Sequence, residues 1–254
     1  MSPLKTLSTI LALILLVATG SYVIGVLPAL TTENVGGEKV VLVHGFGRSN
    51  VSMLPLESAL AQAGYDVHSL EYPSREEPPE DLVDIIASDI ARCCIDVQQK
   101  IHLVGHSFGG LLLRDYLGGH RLENLGHVVL IGTPNKGSEL ANPDLGIPAH
   151  EFLLEMAGPS AQVLHTGPDG YAASLPAPDY SVGVIAGERG TALSAKWLPS
   201  PNDGVVSVES ARLDGMTDFI AIDVTHWDMR RSPVVARSVI EFLQYGKFHP
   251  VQSD

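Results

Sequence analysis

The chain has 254 residues, of which 45% are hydrophobic and 18% charged, and its formal net charge is −13. This composition is that of a globular protein, and the length suits one α/β domain with a substantial core. A chain with this negative charge repels nucleic acid and anionic membrane surfaces, except at a local patch that the sequence does not reveal. Nucleic acid is therefore not expected as a partner. The two cysteines, Cys93 and Cys94, are adjacent, so no framework of disulfides is predicted.

The first 32 residues differ from the remainder of the chain. After Lys5 no charged residue occurs until Glu33, and residues 7–30 are almost wholly apolar. A membrane-spanning helix needs about 20 such residues, whereas the apolar part of a secretory signal has about 7–15. Residues 1–32 are therefore predicted to be a membrane anchor, and Lys5 indicates that the rest of the chain lies outside the cytoplasm. The small residues Ala18-Thr19-Gly20 leave a cleaved signal peptide open, which would give a secreted or periplasmic protein.

Between residues 37 and 250 the sequence alternates strand and helix patterns, which predicts one domain with a mostly parallel sheet and helices on both faces. Six strands are predicted, at 40–43, 66–70, 101–104, 128–131, 182–186 and 219–223. Five helices are predicted, at 51–63, 81–99, 111–118, 149–157 and 232–245. The adjacent cysteines fall in the second helix, where we interpret them as a half-buried structural pair.

The loop after the first predicted strand is His44-Gly45-Phe46-Gly47. In a strand–helix architecture, a loop at this position can direct a backbone N–H toward an oxyanion. We predict that the Phe46 N–H is such a donor. His44 is interpreted as a residue that stiffens this loop by hydrogen bonding, because no cluster of His, Cys and carboxylate residues has the spacing of a zinc site.

The third predicted strand leads into Gly105-His106-Ser107-Phe108-Gly109, and a helical pattern follows directly. This context makes the Gly-x-Ser-x-Gly match a nucleophile elbow, a turn too tight for a side chain at either glycine. Ser107 is therefore the predicted nucleophile. The backbone N–H of Phe108 is the predicted first oxyanion donor. His106, like His44, is interpreted as a residue that stiffens its loop rather than as a metal ligand.

Residues 136–180 are too long for a simple connection and are rich in glycine and proline. Long irregular segments in compact domains often act as lids. We predict a cap over Ser107 that carries a short apolar helix around Phe152, Leu153, Leu154 and Met156. A well-packed surface excursion without a gating role is the alternative.

Two residues downstream can activate the serine: Asp203, in a loop before Gly204, and His226, after the last predicted strand. A serine hydroxyl needs an imidazole to accept its proton, and the imidazole needs a carboxylate to fix its tautomer. We predict that Ser107, His226 and Asp203 form such a triad.

Three other carboxylates compete with Asp203 for this role. Asp218 precedes the last predicted strand, which places it at the opposite end of the sheet from His226. Asp223 is only three residues before His226, so its carboxylate would point awkwardly for the His226 Nδ1. Asp179 is the third. Asp203 is preferred because its loop follows a predicted strand and turns at a glycine.

Taken together, these motifs resemble those of bacterial α/β-hydrolases of the esterase/lipase type, the lipase-like serine esterases that also include relatives of GPI-inositol deacylases. The resemblance extends over residues 39–248. It is carried by Val43-His44-Gly45-Phe46, Gly105-His106-Ser107-Phe108-Gly109, Gly132-Thr133-Pro134-Asn135-Lys136-Gly137-Ser138, Asn202-Asp203-Gly204-Val205-Val206 and Thr225-His226. It implies the α/β-hydrolase fold and hydrolysis of a carboxylic ester through an acyl-enzyme.

The expected function is that of a serine ester hydrolase acting on a small-molecule or lipid acyl ester. An acyltransferase or thioesterase on the same triad is one alternative. A non-catalytic binding module with the hydrolase fold is another, although the three intact triad positions argue against it. The sequence has no dinucleotide-binding, phosphate-loop, zinc or calcium motif, so no cofactor or metal is expected.

Overall fold

The structure is a computed structural model that describes residues 37–94, 98–142, 157–192 and 194–249. The predicted anchor over 1–32 lies outside these ranges, as do nearly all of the predicted helix 149–157 and its apolar residues Phe152, Leu153, Leu154 and Met156. Within the described ranges, no helix is long and apolar enough to cross a membrane.

A six-stranded parallel sheet forms the centre of the domain, with the strand order β2-β1-β3-β4-β5-β6. Each predicted strand is present, and its ends differ from the prediction by at most three residues. The strands are β1 Lys39–Val43, β2 Asp66–Leu70, β3 Ile101–His106, β4 Leu125–Ile131, β5 Val182–Gly187 and β6 Asp218–Ile222.

The strand order places a crevice at the carboxyl ends of β1 and β3. From β1 the chain goes to β2 on one side, and then returns to β3 on the other side and continues outward to β6. Such a switch point is where open α/β sheets bind ligands. The loop beginning at His44 follows β1 and Ser107 follows β3, so both predicted site segments lie at this crevice.

Helices connect the strands and cover the sheet. They are α1 Leu54–Gln62, α2 Pro79–Cys93, α3 Phe108–Gly119, α4 Pro159–Gln162, α5 Tyr171–Ser174, α6 Val208–Ala211 and α7 Pro233–Tyr245. The strands β3 and β5 are buried along their whole length. This burial agrees with their mostly apolar sequences, because a central parallel strand is covered on both faces.

Two predicted helices differ from those observed. The helix predicted over 51–63 is a 3-10 turn, Asn50–Met53, followed by α1, and Pro55 lies at the junction. Proline lacks the N–H that would continue an α-helix from residue 51. The helix predicted to reach residue 99 ends at Cys93, because Cys94 leaves the helical conformation (φ −124°, ψ 47°). Both cysteines are half-buried, as predicted, but Cys94 lies just past the end of the helix rather than within it.

Candidate active site

Ser107 lies in a strained turn between β3 and α3. Its φ of 56° and ψ of −125° make it the one non-glycine residue with positive φ in the described part of the chain. Such a conformation costs free energy and persists where the surroundings hold it, commonly at functional sites. Here the Ser107 N–H donates to the Ile131 carbonyl oxygen (2.8 Å) at the end of β4.

The glycines around Ser107 are required by close backbone approaches. A Cβ atom at Gly105 would lie 2.6 Å from the Gly110 Cα, so a side chain there would separate β3 from α3. One at Gly109 would collide with the His44 carbonyl oxygen. At Gly45 it would lie 3.0 Å from the Ser107 Cβ. The elbow and the loop after β1 are therefore packed directly against each other.

The structure brings the three predicted triad side chains together. The Ser107 Oγ lies 3.0 Å from the His226 Nε2, and the His226 Nδ1 lies 2.7 Å from the Asp203 Oδ2. His226 and Asp203 are each only 2% exposed. Because the carboxylate only accepts, Nδ1 carries the proton and Nε2 is left to accept the serine proton. This arrangement can turn the Ser107 hydroxyl into a nucleophile.

Backbone contacts fix the Asp203 carboxylate. Its Oδ1 accepts the N–H groups of Val205 (2.9 Å) and Val206 (2.7 Å), which leaves Oδ2 for His226. The His226 N–H donates to the Asp203 carbonyl oxygen (2.9 Å), so the two loops are also joined through their backbones. A Cβ at Gly187 would lie 2.7 Å from the Asp203 Cβ, so the end of β5 closes the other side.

The competing carboxylates have other positions and partners. Asp223 forms a double ion pair with the exposed Arg189 (2.9 and 2.6 Å). Asp218 begins β6, at the far end of the sheet from the site, and accepts the Phe248 N–H (2.7 Å). Asp179 is exposed before β5 begins. Of the four candidates, Asp203 is the one in contact with His226.

The two predicted oxyanion donors flank Ser107. Phe108 is the first residue of α3, so its N–H has no acceptor within the helix. The Phe46 N–H makes no hydrogen bond to any described residue. The Phe46 and Phe108 rings pack edge to face at 6.2 Å, which holds the two segments beside each other. The arrangement leaves both N–H groups available for an anionic oxygen, and their assignment as donors stays a prediction.

Tyr72 supports the Phe46 loop, and sequence reasoning missed it. Its hydroxyl donates to the His44 carbonyl oxygen (2.5 Å), and its ring stacks on the His44 ring at 4.1 Å. Burial raises the pKa of Tyr72 well above its usual value, so the hydroxyl keeps its proton. His44 Nδ1 in turn donates to the Gly45 carbonyl oxygen (2.9 Å), as expected for a residue that stiffens the loop. No motif around Tyr72 marks this role.

The Gly132–Ser138 segment after β4 links the nucleophile helix to the loop that carries Asp203. The buried Arg114 of α3 donates from Nη1 to the Asn135 carbonyl oxygen (3.1 Å). The Asn135 side-chain amide donates to the Ala211 carbonyl oxygen (2.7 Å) at the end of α6. Asn135 thus joins the nucleophile helix to the end of α6, and Arg114 is a further residue that the sequence did not single out.

The described parts of the predicted cap, residues 136–142 and 157–180, pack against neighbouring segments. The Ser160 hydroxyl donates to the Glu77 carbonyl oxygen (2.9 Å), in the loop after β2. The Tyr171 hydroxyl donates to the Asp115 carboxylate (2.7 Å) on α3. The Tyr171 and Phe108 rings approach to 6.3 Å. This segment therefore borders the Ser107 side of the sheet, and its action as a moving lid stays a prediction.

His106 is buried beside His226 and is held as a neutral imidazole. Its Nε2 lies 3.3 Å from the His226 carbonyl oxygen. Burial, and then the neighbouring His226 and Arg230, lower the pKa of His106 well below its usual value. Within the described ranges, no group of three or more His, Cys, Asp or Glu side chains could hold a metal ion.

Buried histidines predict a loss of stability in mild acid. Burial lowers the pKa of four of them: His44, His102, His106 and His127. In the unfolded chain each has a pKa of about 6.5. Below pH 6.5 the unfolded state therefore binds more protons than the folded state, so the free energy of unfolding falls as the pH decreases. Above pH 6.5 this part of the free energy of unfolding is recovered. For His106 we expect a loss of about 1 kcal/mol between pH 7.5 and 5.5.

Urea unfolding at the two pH values measures this loss. The amide of His106→Gln does not titrate. Between pH 7.5 and 5.5 this variant should therefore lose less free energy of unfolding than the wild-type protein, and the difference should equal the loss of about 1 kcal/mol expected for His106. An identical pH dependence in the two proteins would mean that His106 takes up its proton without unfolding.

Comparison with known proteins places the chain in a family. The model of the alpha/beta hydrolase family matches residues 40–244. No match was found among curated protein sequences. Among solved structures, the mature lipase BlEst2 of Bacillus licheniformis is 20% identical with a TM-score of 0.69, over 85% of this chain and 95% of the lipase. The chain covers 54% of the propeptide form of that lipase.

Two other structures share the fold. The metagenomic carboxyl esterase MGS0156 is 18% identical with a TM-score of 0.63, over 90% of this chain and 77% of the esterase. Phospholipase PlaB of Legionella pneumophila is 15% identical with a TM-score of 0.60, over 82% of this chain and 60% of the phospholipase. The parallel sheet, the elbow after β3 and the family match agree with the predicted fold class, and the chain belongs to the alpha/beta hydrolase family.

Proposed function

We propose that the protein is a serine ester hydrolase that cleaves carboxylic acyl esters through an acyl-enzyme. The observation that carries this proposal is the pair of hydrogen bonds from Ser107 to His226 (3.0 Å) and from His226 to Asp203 (2.7 Å). A serine with this relay, held in a strained turn beside two available N–H groups, suits attack on an acyl carbonyl.

In the proposed reaction the Ser107 Oγ attacks the ester carbonyl carbon while the His226 Nε2 takes its proton. The negative charge on the former carbonyl oxygen is stabilised by the Phe46 and Phe108 N–H groups. His226 then gives its proton to the departing alcohol, which leaves an acyl group on Ser107. A water molecule, deprotonated by His226, releases the carboxylic acid and restores the serine. Asp203 stabilises the imidazolium that forms in each half of the cycle.

The substrate class is proposed from the chemistry and from the structural neighbours. Those neighbours are described as a lipase, a carboxyl esterase and a phospholipase. Acyl transfer and thioester hydrolysis would use the same three residues and differ in the acceptor or the leaving group.

The proposal is tested with a panel of p-nitrophenyl esters of increasing acyl length, offered to the full-length protein in mild detergent. We expect hydrolysis of at least part of the panel, dependent on Ser107, with Ser107→Ala as the control. No turnover of any ester or thioester by the folded protein would favour the non-catalytic binding module instead.

We also propose that residues 1–32 anchor the protein in a membrane, with the hydrolase domain outside the cytoplasm. Residues 7–30 would form a helix of about 36 Å at 1.5 Å per residue, enough for a hydrocarbon core of about 30 Å.

Full-length protein is expected to fractionate with membranes and to resist carbonate extraction. A version beginning at Gly37 should be soluble and active, because residues 40–244 hold the family's match. A mature N-terminus near Ser21, found by mass spectrometry, would show a cleaved signal peptide and contradict the anchor.

A further inference from the structure

Three arginines lie close together beside His226 in a protein whose formal net charge is −13. Arg48 follows the loop after β1, whereas Arg230 and Arg231 follow His226 in the loop after β6. Burial and then Arg231 lower the pKa of Arg48. Burial and then Arg48 and Arg231 lower the pKa of Arg230 to about 10. The three cations are therefore near enough to repel one another.

Arg48 is positioned by an aromatic ring that touches His226. The guanidinium carbon of Arg48 lies 4.7 Å from the centroid of the Trp227 ring. The Trp227 ring meets the His226 ring edge to face at 5.4 Å. These spacings place the Arg48 guanidinium within about 10 Å of the His226 ring. The cation is thus near enough to be reached by a second group several bonds away from the carbonyl of an ester bound at Ser107.

The other charges around Arg48 have assigned partners. The buried Arg230 donates to the Ser52 and Trp227 carbonyl oxygens (3.0 and 3.4 Å), which is a structural role. Arg231 pairs with Asp228 at 3.6 Å. These contacts leave the cluster with more positive than negative charge.

The Arg48 side chain has no ion pair or hydrogen bond with any described residue, whereas the Arg48 backbone N–H donates to the Gly45 carbonyl oxygen (3.3 Å). The carboxylate of Glu71, which accepts the Asn50 N–H (2.7 Å), lies 3.8 Å from the His44 Nε2 instead. A guanidinium that stacks on an aromatic ring uses its face, while its five N–H donors point outward in the plane. Those donors match the two oxygens of a carboxylate or phosphate.

From this placement, and on the basis of the proposed ester hydrolysis, we propose that Arg48 is a specificity residue that binds an anionic group of the substrate. The group is a carboxylate or a phosphate carried a few bonds from the scissile ester. Trp227 presents the guanidinium, and the surrounding Arg230 and Arg231 raise the local positive potential. The preferred esters are then acidic ones, although the protein as a whole is negatively charged.

The experiment compares pairs of esters in which one member carries an anionic group and the other member does not. In the acyl arm, methyl hemisuccinate is compared with methyl butyrate. In the alcohol arm, 1-butyrylglycerol 3-phosphate is compared with 1-butyrylglycerol. Binding is measured by tryptophan fluorescence on full-length Ser107→Ala in detergent, and turnover is measured separately on protein that retains Ser107.

Arg48→Gln, added to Ser107→Ala, should raise the Kd of the anionic member of at least one pair. This increase in Kd should be about fivefold to tenfold larger than that for the neutral member of the same pair. In turnover the same difference should appear in KM rather than in kcat. Arg48→Lys should recover part of the preference, because it keeps the charge but loses the two-pronged geometry. High salt should reduce the preference in the wild-type protein.

Arg212→Gln is the matched control, since Arg212 is an exposed arginine whose guanidinium carbon lies 3.9 Å from the centre of an aromatic ring, that of Phe219. It removes the same charge and the same kind of contact and should leave both pairs unchanged. The arm that responds identifies which side of the ester carries the anion. Equal effects of Arg48→Gln on both members of both pairs, in protein with a wild-type melting temperature, would overturn the proposal. Selective binding without any turnover would instead overturn the proposed hydrolysis and leave this inference intact.

Discussion

Ser107→Ala is expected to lower kcat for a hydrolysed ester by a factor on the order of 10⁵, because the attacking oxygen is removed. The kcat of His226→Ala should be nearly as low as that of Ser107→Ala. The double variant should lose little more, since the members of a triad act as a unit and their losses do not add. The kcat values of all three variants are measured from steady-state turnover at a saturating ester concentration.

The fold should survive the serine substitution. Alanine at position 107 meets the same backbone strain at φ 56° as serine, and the change removes one half-buried hydroxyl. Melting temperatures of Ser107→Ala and the wild-type protein are therefore expected to agree closely. Retention of more than about a hundredth of the activity by Ser107→Ala would rule out Ser107 as the nucleophile.

Asp203→Asn should lower kcat by about 10⁴-fold and leave the protein folded. The Oδ1 position accepts two backbone N–H groups, from Val205 and Val206, so the amide oxygen of an asparagine must occupy it. The NH₂ group then faces the His226 Nδ1, 2.7 Å away in the wild-type protein, and donates to it. His226 is forced to carry its proton on Nε2, where it can no longer accept the serine proton.

Asp223→Asn is the matched control for this substitution. It makes the same chemical change in the same part of the chain, but Asp223 pairs with Arg189 on the surface. Its activity should stay within about twofold of the wild-type value, since exposed ion pairs contribute little to stability. An active Asp203→Asn together with an inactive Asp223→Asn or Asp179→Asn would show that the wrong carboxylate has been assigned.

The strands and the site loops could be predicted because local patterns determine them. Continuous apolar runs mark the buried strands, and the glycines of the elbow mark a turn where a side chain would collide with backbone. The split of the first helix at Pro55 could also have been read from the sequence. The end of α2 at Cys93 could not, because neither glycine nor proline marks it.

Contacts between distant segments were beyond sequence reasoning. Tyr72 reaches His44 across 28 positions of the chain, and nothing near Tyr72 announces a hydrogen bond to that loop. Arg48 and Arg231 are brought together only because the loops after β1 and β6 both lie at the carboxyl ends of their strands. A local positive patch in an acidic chain therefore becomes visible only once the sheet order is known.

Covalent labelling shows whether Ser107 is an activated nucleophile. Full-length protein is treated with a fluorophosphonate, which reacts with serines activated by a neighbouring base, and the adduct is located by peptide mass spectrometry. We expect one adduct, on Ser107, that is absent from Ser107→Ala and that forms much more slowly in His226→Ala. A folded wild-type protein that acquires no adduct, or an adduct that persists in Ser107→Ala, would contradict it.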